Sequence, residues 1–174
     1  MEGTLEQVAG AWQLRFVLTL PHSQEKVWRA ITQPEHLATW FPSSIEGERK
    51  PGAQLRFTFP GNEVQPVEGE MIAWDPPTLF AFNWGGDILR FELEARGPEE
   101  TILTLTDTFQ PVGKGARDAA GWHACLDRLE HELAGTTPDW NPGERWAQVH
   151  KIYVARFPKE ATTIGPPAGS EPAK

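Results

Sequence analysis

The sequence predicts an α+β domain in which a curved antiparallel sheet wraps around one long C-terminal helix. Three observations lead there. Several stretches between Trp12 and Phe109 alternate apolar and polar residues with a period of two, as half-buried strands do. The connections between them are short and rich in turn residues ("KPGAQ", "FPGNE", "DPPT", "GGD", "RGPEE"), which makes neighbouring strands antiparallel. After them, "DAAGWHACLDRLEHELAG" carries apolar residues at helical spacing.

Taken in order, WQLRFVLTL places Trp12, Leu14, Phe16, Leu18 and Leu20 on one face and is stopped by Pro21. SQEKVWRAIT reads as a helix capped by Ser23, with Val27, Trp28 and Ile31 inward. PEHLATWF reads as a second short helix with Pro34 at its first position and Leu37, Trp40 and Phe41 inward. A short strand is expected around Ser43–Glu48. Strands then follow in AQLRFTF, VEGEMIAW, TLFAFNW, ILRFELEA and TILTLTDTF. A last amphipathic segment, GERWAQVHKIYVARF, carries Trp146, Val149, Tyr153 and Phe157; its apolar face either packs on its own domain or forms a homodimer seam. The expected organisation is one domain over residues 1–157, with a helical extension at 139–157 and a tail without structure at 158–174.

The sheet must curl. Six or seven strands at about 4.8 Å spacing make a surface roughly 25–30 Å wide, whereas one helix covers about 10–12 Å. If side chains do not fill the difference, a cavity walled by Phe and Trp remains, which is how ligand sites are built. Eight tryptophans in 174 residues suit that reading.

Composition narrows the partners. A net charge of −8 with scattered Lys and Arg repels phosphate backbones and anionic lipid, so nucleic acid and membrane surfaces are not expected partners. No apolar run is long enough to span a bilayer, and the N-terminus lacks a secretory pattern. A single cysteine suits a reducing, cytoplasmic setting. No phosphate-binding loop or metal-ligand cluster is visible, so no cofactor is expected.

In the long helix, Trp122, Cys125, Leu126, Leu129 and Leu133 share a core-facing stripe, while His123, Asp127, Glu130 and His131 are expected on a solvated face. Cys125 is therefore read as a small buried hydrophobe rather than a nucleophile. His123 and His131 lie about 12 Å apart along the axis and cannot share a metal. For an enzyme, Asp107 is the catalytic candidate by strand parity, with Arg90 or His123 near a rim; the plainer reading makes Asp107 a turn residue at a strand end.

The layout, together with "VWRAITQPEHLATWF", "GEMIAWDPP…LFAFNW" and "GWHACLDRLEHEL", resembles the helix-grip fold of the START-like (SRPBCC) superfamily. Within it these stretches look like the branch named for the activator of heat shock protein ATPase, the AHSA-like family. The resemblance covers roughly residues 12–157. It implies a hydrophobic cavity between sheet and long helix, walled by Phe57, Phe59, Phe82, Trp84, Phe91, Leu105, Trp122 and Leu126. Trp40 and Phe41 would stand near its mouth. The function it implies is binding of a small hydrophobic or aromatic molecule; the alternatives are a cyclase- or hydrolase-type enzyme on an aromatic substrate, or a chaperone-associated interaction module.

Overall fold

The computed structural model describes residues 1–62 and 64–166. Seven antiparallel strands form one sheet: β1 (Thr4–Val8), β2 (Ala11–Leu20), β3 (Gln54–Phe57), β4 (Val67–Asp75), β5 (Leu79–Trp84), β6 (Asp87–Ala95) and β7 (Thr101–Phe109). Their spatial order is β1-β2-β7-β6-β5-β4-β3. Helices α1 (Gln24–Thr32) and α2 (Pro34–Trp40) follow β2, and α3 (Gly115–Ala134) and α4 (Pro142–Arg156) follow β7. This is the expected α+β helix-grip arrangement, with a curved sheet closed on the long helix α3. Among the described residues, no helix is long and apolar enough to cross a membrane.

The alternating residues of β2 and β7 interlock in the interior, with Phe16 opposite Leu105 and Leu18 opposite Leu103. Between β4 and β5 the register shifts at Met71–Ala73, a bulge that adds bend. A close approach accompanies it: a Cβ on Gly69 would lie 2.1 Å from the Asn83 carbonyl oxygen. Ser23 caps α1 by accepting from the Lys26 N–H, and Pro34 opens α2. Trp40 is wholly buried and donates its indole N–H to the Ala30 carbonyl at 2.9 Å, so its one polar atom is satisfied.

Four local expectations are corrected. β1 has no counterpart in the periodic pattern because its residues are almost all exposed; it is held by a hairpin through Ala9 (φ 49°) and Gly10 (φ 83°). The segment Ser43–Glu48 makes a single bridge, Glu46 to Arg56, rather than a strand. The part of the expected tail that is described folds back instead. Lys159–Thr162 form a 3-10 turn, Ala161 is fully buried, and the Ile164 N–H donates to the Gly113 carbonyl at 3.0 Å. Residues 167–174 lie outside the described residues.

The fourth concerns His123. It is buried rather than solvated, because α4 lies against that side of α3. Its Nδ1 sits 2.8 Å from the Tyr153 hydroxyl, which accepts from the Gly3 N–H at 2.9 Å. The N-terminus, α3 and α4 thus meet at one buried polar point. Arg145 joins from α4, donating to Asp127 at 2.6 Å. Burial, reinforced by Arg145 and opposed by Asp127, holds His123 below the usual imidazole range. The folded state therefore favours the neutral ring, and stability is lost as pH falls below about 6.5, where the unfolded chain takes up the proton.

Two substitutions probe these contacts in urea titrations. Tyr153→Phe strands the Gly3 N–H in the interior and is expected to lose about 1–3 kcal/mol. Ala161→Asp buries an unpaired carboxyl and is expected to lose at least about 2 kcal/mol. Wild-type stability in Ala161→Asp would mean that the 159–164 segment does not pack on the domain.

Candidate functional site

The middle of the sheet–helix interior is filled. Phe57 stacks on Phe82 at 5.4 Å between ring centroids, Phe80 lies 4.8 Å from Phe82, and Trp40 meets Phe91 edge-on at 6.1 Å. Phe57, Phe82, Phe91, Leu105, Leu126 and Trp40 are each at most 1% exposed. Space is left instead at one end of the sheet, where α2 finishes and α3 begins: a cavity of about 360 Å³.

Three tryptophans from three elements frame it: Trp84 at the end of β5, Trp122 on α3 and Trp146 on α4. Trp84 and Trp122 are tilted against each other at 5.5 Å, and Phe41 backs both, at 6.0 and 5.8 Å. Phe59 is half-buried behind Trp84 at 6.0 Å. Trp146 is held by its indole N–H on the Arg117 carbonyl, 3.3 Å away. Gly121 leaves the α3 wall open, since a Cβ there would meet nothing within 4 Å. A glycine inside a helix weakens it by roughly 0.5–1 kcal/mol relative to alanine, so this position trades helix stability for space. Of the ten residues expected to wall or gate a cavity, Trp84 and Trp122 line this one and Phe41 and Phe59 stand behind it.

The polar floor comes from Asp107, Asp87 and Asp118. Asp107 continues the inward parity of Leu103 and Leu105, and its β-sheet neighbours are Leu14 and Leu89. It is 1% exposed and lies within β7, which corrects the turn reading: the strand runs two residues further, to Phe109. Oδ2 accepts the Trp122 indole N–H at 2.8 Å, while Oδ1 is buried with no partner among the described residues. Burial first, and the nearby Asp87 carboxylate second, push Asp107 up to about 8, against the opposing pull of the Trp122 bond and Lys114.

Asp87 opens β6 after the Gly85–Gly86 turn, and the Lys114 ammonium sits 2.6 Å from both of its oxygens. Burial still raises Asp87 above the ordinary carboxylate range. Asp118 lies in the first turn of α3, where the helix dipole favours a negative charge, and takes the Arg117 Nε–H at 2.7 Å and Lys114 at 3.5 Å. One oxygen from each of the three carboxyls falls within 4.8 Å of the others. The Lys114 ammonium already occupies the space between Asp87 and Asp118, so a metal ion there would have to displace it.

The other candidates fall elsewhere. Arg90 is on the outer sheet face, paired with Glu92 at 2.9 Å. His123 belongs to the Tyr153 network. Cys125 is half-buried at the cavity wall, and desolvation pushes its thiol up to about 12, so it stays protonated. Sequence reasoning missed Asp87, Asp118, Lys114 and Trp146 as site residues. Only the four-residue spacing of Lys114 and Asp118 hinted at a pair, and nothing in the linear pattern joins them to Asp87.

Fold and site together define a helix-grip domain with a tryptophan-walled, acid-floored cavity at one end. Residues 21–134 match the family model described as "Activator of Hsp90 ATPase homolog 1-like protein", and the chain belongs to that family. Among solved structures it is similar to the conserved protein of unknown function EF2215 from Enterococcus faecalis, at 21% identity and TM-score 0.72, over 88% of this chain and 89% of that one. It is similar to CalU16 from Micromonospora echinospora at 19% identity and TM-score 0.69, over 88% and 96%. The BPP1335 product of Bordetella parapertussis is 29% identical with TM-score 0.67, over 83% and 86%. No functionally curated protein matches.

The raised Asp107 pKa has a stability consequence. Between about pH 4 and 8 the folded state holds a proton that the unfolded chain has released, so stability falls as pH rises through that window. Asp107→Asn is expected to remove this slope and to be the more stable form at pH 8, as read from urea midpoints across pH. An unchanged slope would mean that Asp107 titrates as an ordinary carboxyl.

Proposed function

We propose that this protein binds a small apolar or aromatic molecule in the cavity at the end of the sheet, between β5–β7 and the first half of α3. One observation carries the reading: three tryptophan side chains surround a space within the roughly 300–1,000 Å³ range of ligand sites, with the charged groups gathered in one cluster of Asp87, Asp107, Asp118 and Arg117. Family membership supports a ligand-binding or interaction module. The single cysteine suits a cytoplasmic location, which we include in the proposal.

A second reading, an enzyme acting on an aromatic substrate, is favoured by one feature. Asp107 is a buried acid with a pKa near working pH, as a general acid needs. It predicts that a molecule copurifying with Asp107→Asn differs in mass from the one carried by the wild type.

The cavity reading is tested by filling the cavity. Gly121→Phe places a ring in the open space and is expected to leave the thermal midpoint equal or higher. It is expected to abolish tryptophan quenching by a hydrophobic dye such as 1-anilinonaphthalene-8-sulfonate. Equal dye binding by wild type and Gly121→Phe would locate binding outside this cavity.

A further inference from the structure

The cavity has one buried polar atom that the protein leaves unused. Asp107 Oδ2 is engaged by the Trp122 indole, whose N–H only donates. That bond orients the carboxyl and leaves Oδ1 buried without a partner among the described residues, in a residue that lines the cavity and is 1% exposed. A buried polar atom without a partner is unusual in a folded protein and calls for an explanation. A ligand group that meets it is the explanation consistent with its position.

The protonation state decides what that group is. The charged groups around Asp107 are Asp87 from β6, Lys114 from the turn before α3 and Asp118 from α3, with Arg117 on the same cavity wall and paired with Asp118. Its register partner on β2 is the uncharged Leu14. Lys114 and Arg117 are committed to Asp87 and Asp118, so two cations balance two carboxylates. A third negative charge would be uncompensated in an apolar wall, and the carboxyl accordingly keeps its proton to about pH 8. With Oδ2 accepting from Trp122, the proton rests on Oδ1, and the floor of the cavity presents a donor. An apolar wall with a donor at its base selects a molecule with an acceptor.

We propose that the ligand is an aromatic or polycyclic molecule bearing an acceptor oxygen, such as a ketone or quinone carbonyl, and that Asp107 Oδ1–H donates a hydrogen bond to that oxygen. This assignment rests on the cavity being the ligand site. Asp107 acts in it as a binding and specificity residue. The competing chemistry, an amine or other cation held by an ionised Asp107 and the tryptophan faces, requires the opposite protonation state.

Calorimetric titration with three probes of one shape separates these cases: 2-acetylnaphthalene (acceptor), 2-ethylnaphthalene (no polar group) and 2-(aminomethyl)naphthalene (cation), each at pH 6.5 and 9.5. The expected wild-type result at pH 6.5 is a preference of about tenfold for the acetyl over the ethyl probe, the size of one buried hydrogen bond. At pH 9.5 that preference disappears as Oδ1 loses its proton. Asp107→Asn, whose amide N–H₂ replaces the donor, keeps the preference at both pH values. Asp107→Leu binds both probes alike. Equal wild-type affinity for the acetyl and ethyl probes at pH 6.5 overturns the donor assignment while leaving the cavity as a site. So does an acetyl preference that persists at pH 9.5, or tightest binding by the amine. Failure of all three probes to bind the folded wild type overturns the cavity reading, and the assignment with it.

Discussion

Seven strands at about 4.8 Å spacing present an apolar face roughly 30 Å across, and a single helix seals about 10–12 Å of it. How the remainder is covered organises the rest of the molecule. The sheet bends, with a bulge in β4 and a close β4–β5 approach at Gly69. The rings of Phe57, Phe80, Phe82 and Phe91 fill the middle, and α2 lays Trp40 on top of them. The filling fails at one end, where Gly121 withholds a side chain and the indoles of Trp84, Trp122 and Trp146 line an open space. Close packing is the default in protein interiors, so a gap bounded by large aromatic rings and one glycine is a property of the sequence rather than an accident of the backbone.

Electrostatics at that end follow from the same geometry. The inward parity of β7 carries Asp107 into the apolar interior, one position past Thr106 and two past Leu105. Burial disfavours its charge, and the Asp87 carboxylate adds to the effect. Burial raises Asp87 as well, with Lys114 opposing it, while Asp118 is paired with Lys114 and Arg117 at the start of α3. Three carboxyls within one small volume thus divide into two that are paired with cations and one that is paired with an indole. The division leaves Asp107 as the carboxyl without a cation beside it.

The second half of the helix pair is structural. His123, Tyr153 and the Gly3 N–H form a buried chain of contacts that ties the N-terminus to α3 and α4. The 3-10 turn at Lys159–Thr162 and the Ile164–Gly113 bond close the chain over the start of α3, near the Lys114 that holds Asp87. Segments outside the sheet–helix core therefore brace the region from which the cavity floor is built.

The strands of the meander, both short helices and the core stripe of α3 were legible in the linear pattern, because periods of two and 3.6 report which face is buried. β1 was not, since an edge strand with no buried face leaves no period to read. The parity of Asp107 was visible, yet its burial was not: where β7 stops depends on pairing with β2 and β6, which run alongside it as far as Phe109 and Ile88. His123 was placed on a wet face because helix geometry alone cannot show that α4 returns to cover it. The sequence by itself determined the strands from β2 to β7, the four helices and their order, since these depend on contacts close along the chain, and its resemblance pointed to the family. Only the tertiary structure decided that Asp87, Asp107, Asp118 and Lys114 share one floor, and that Trp146 completes the wall. Those residues come from separate strands, a turn and two helices, and no local periodicity encodes a meeting over such separations.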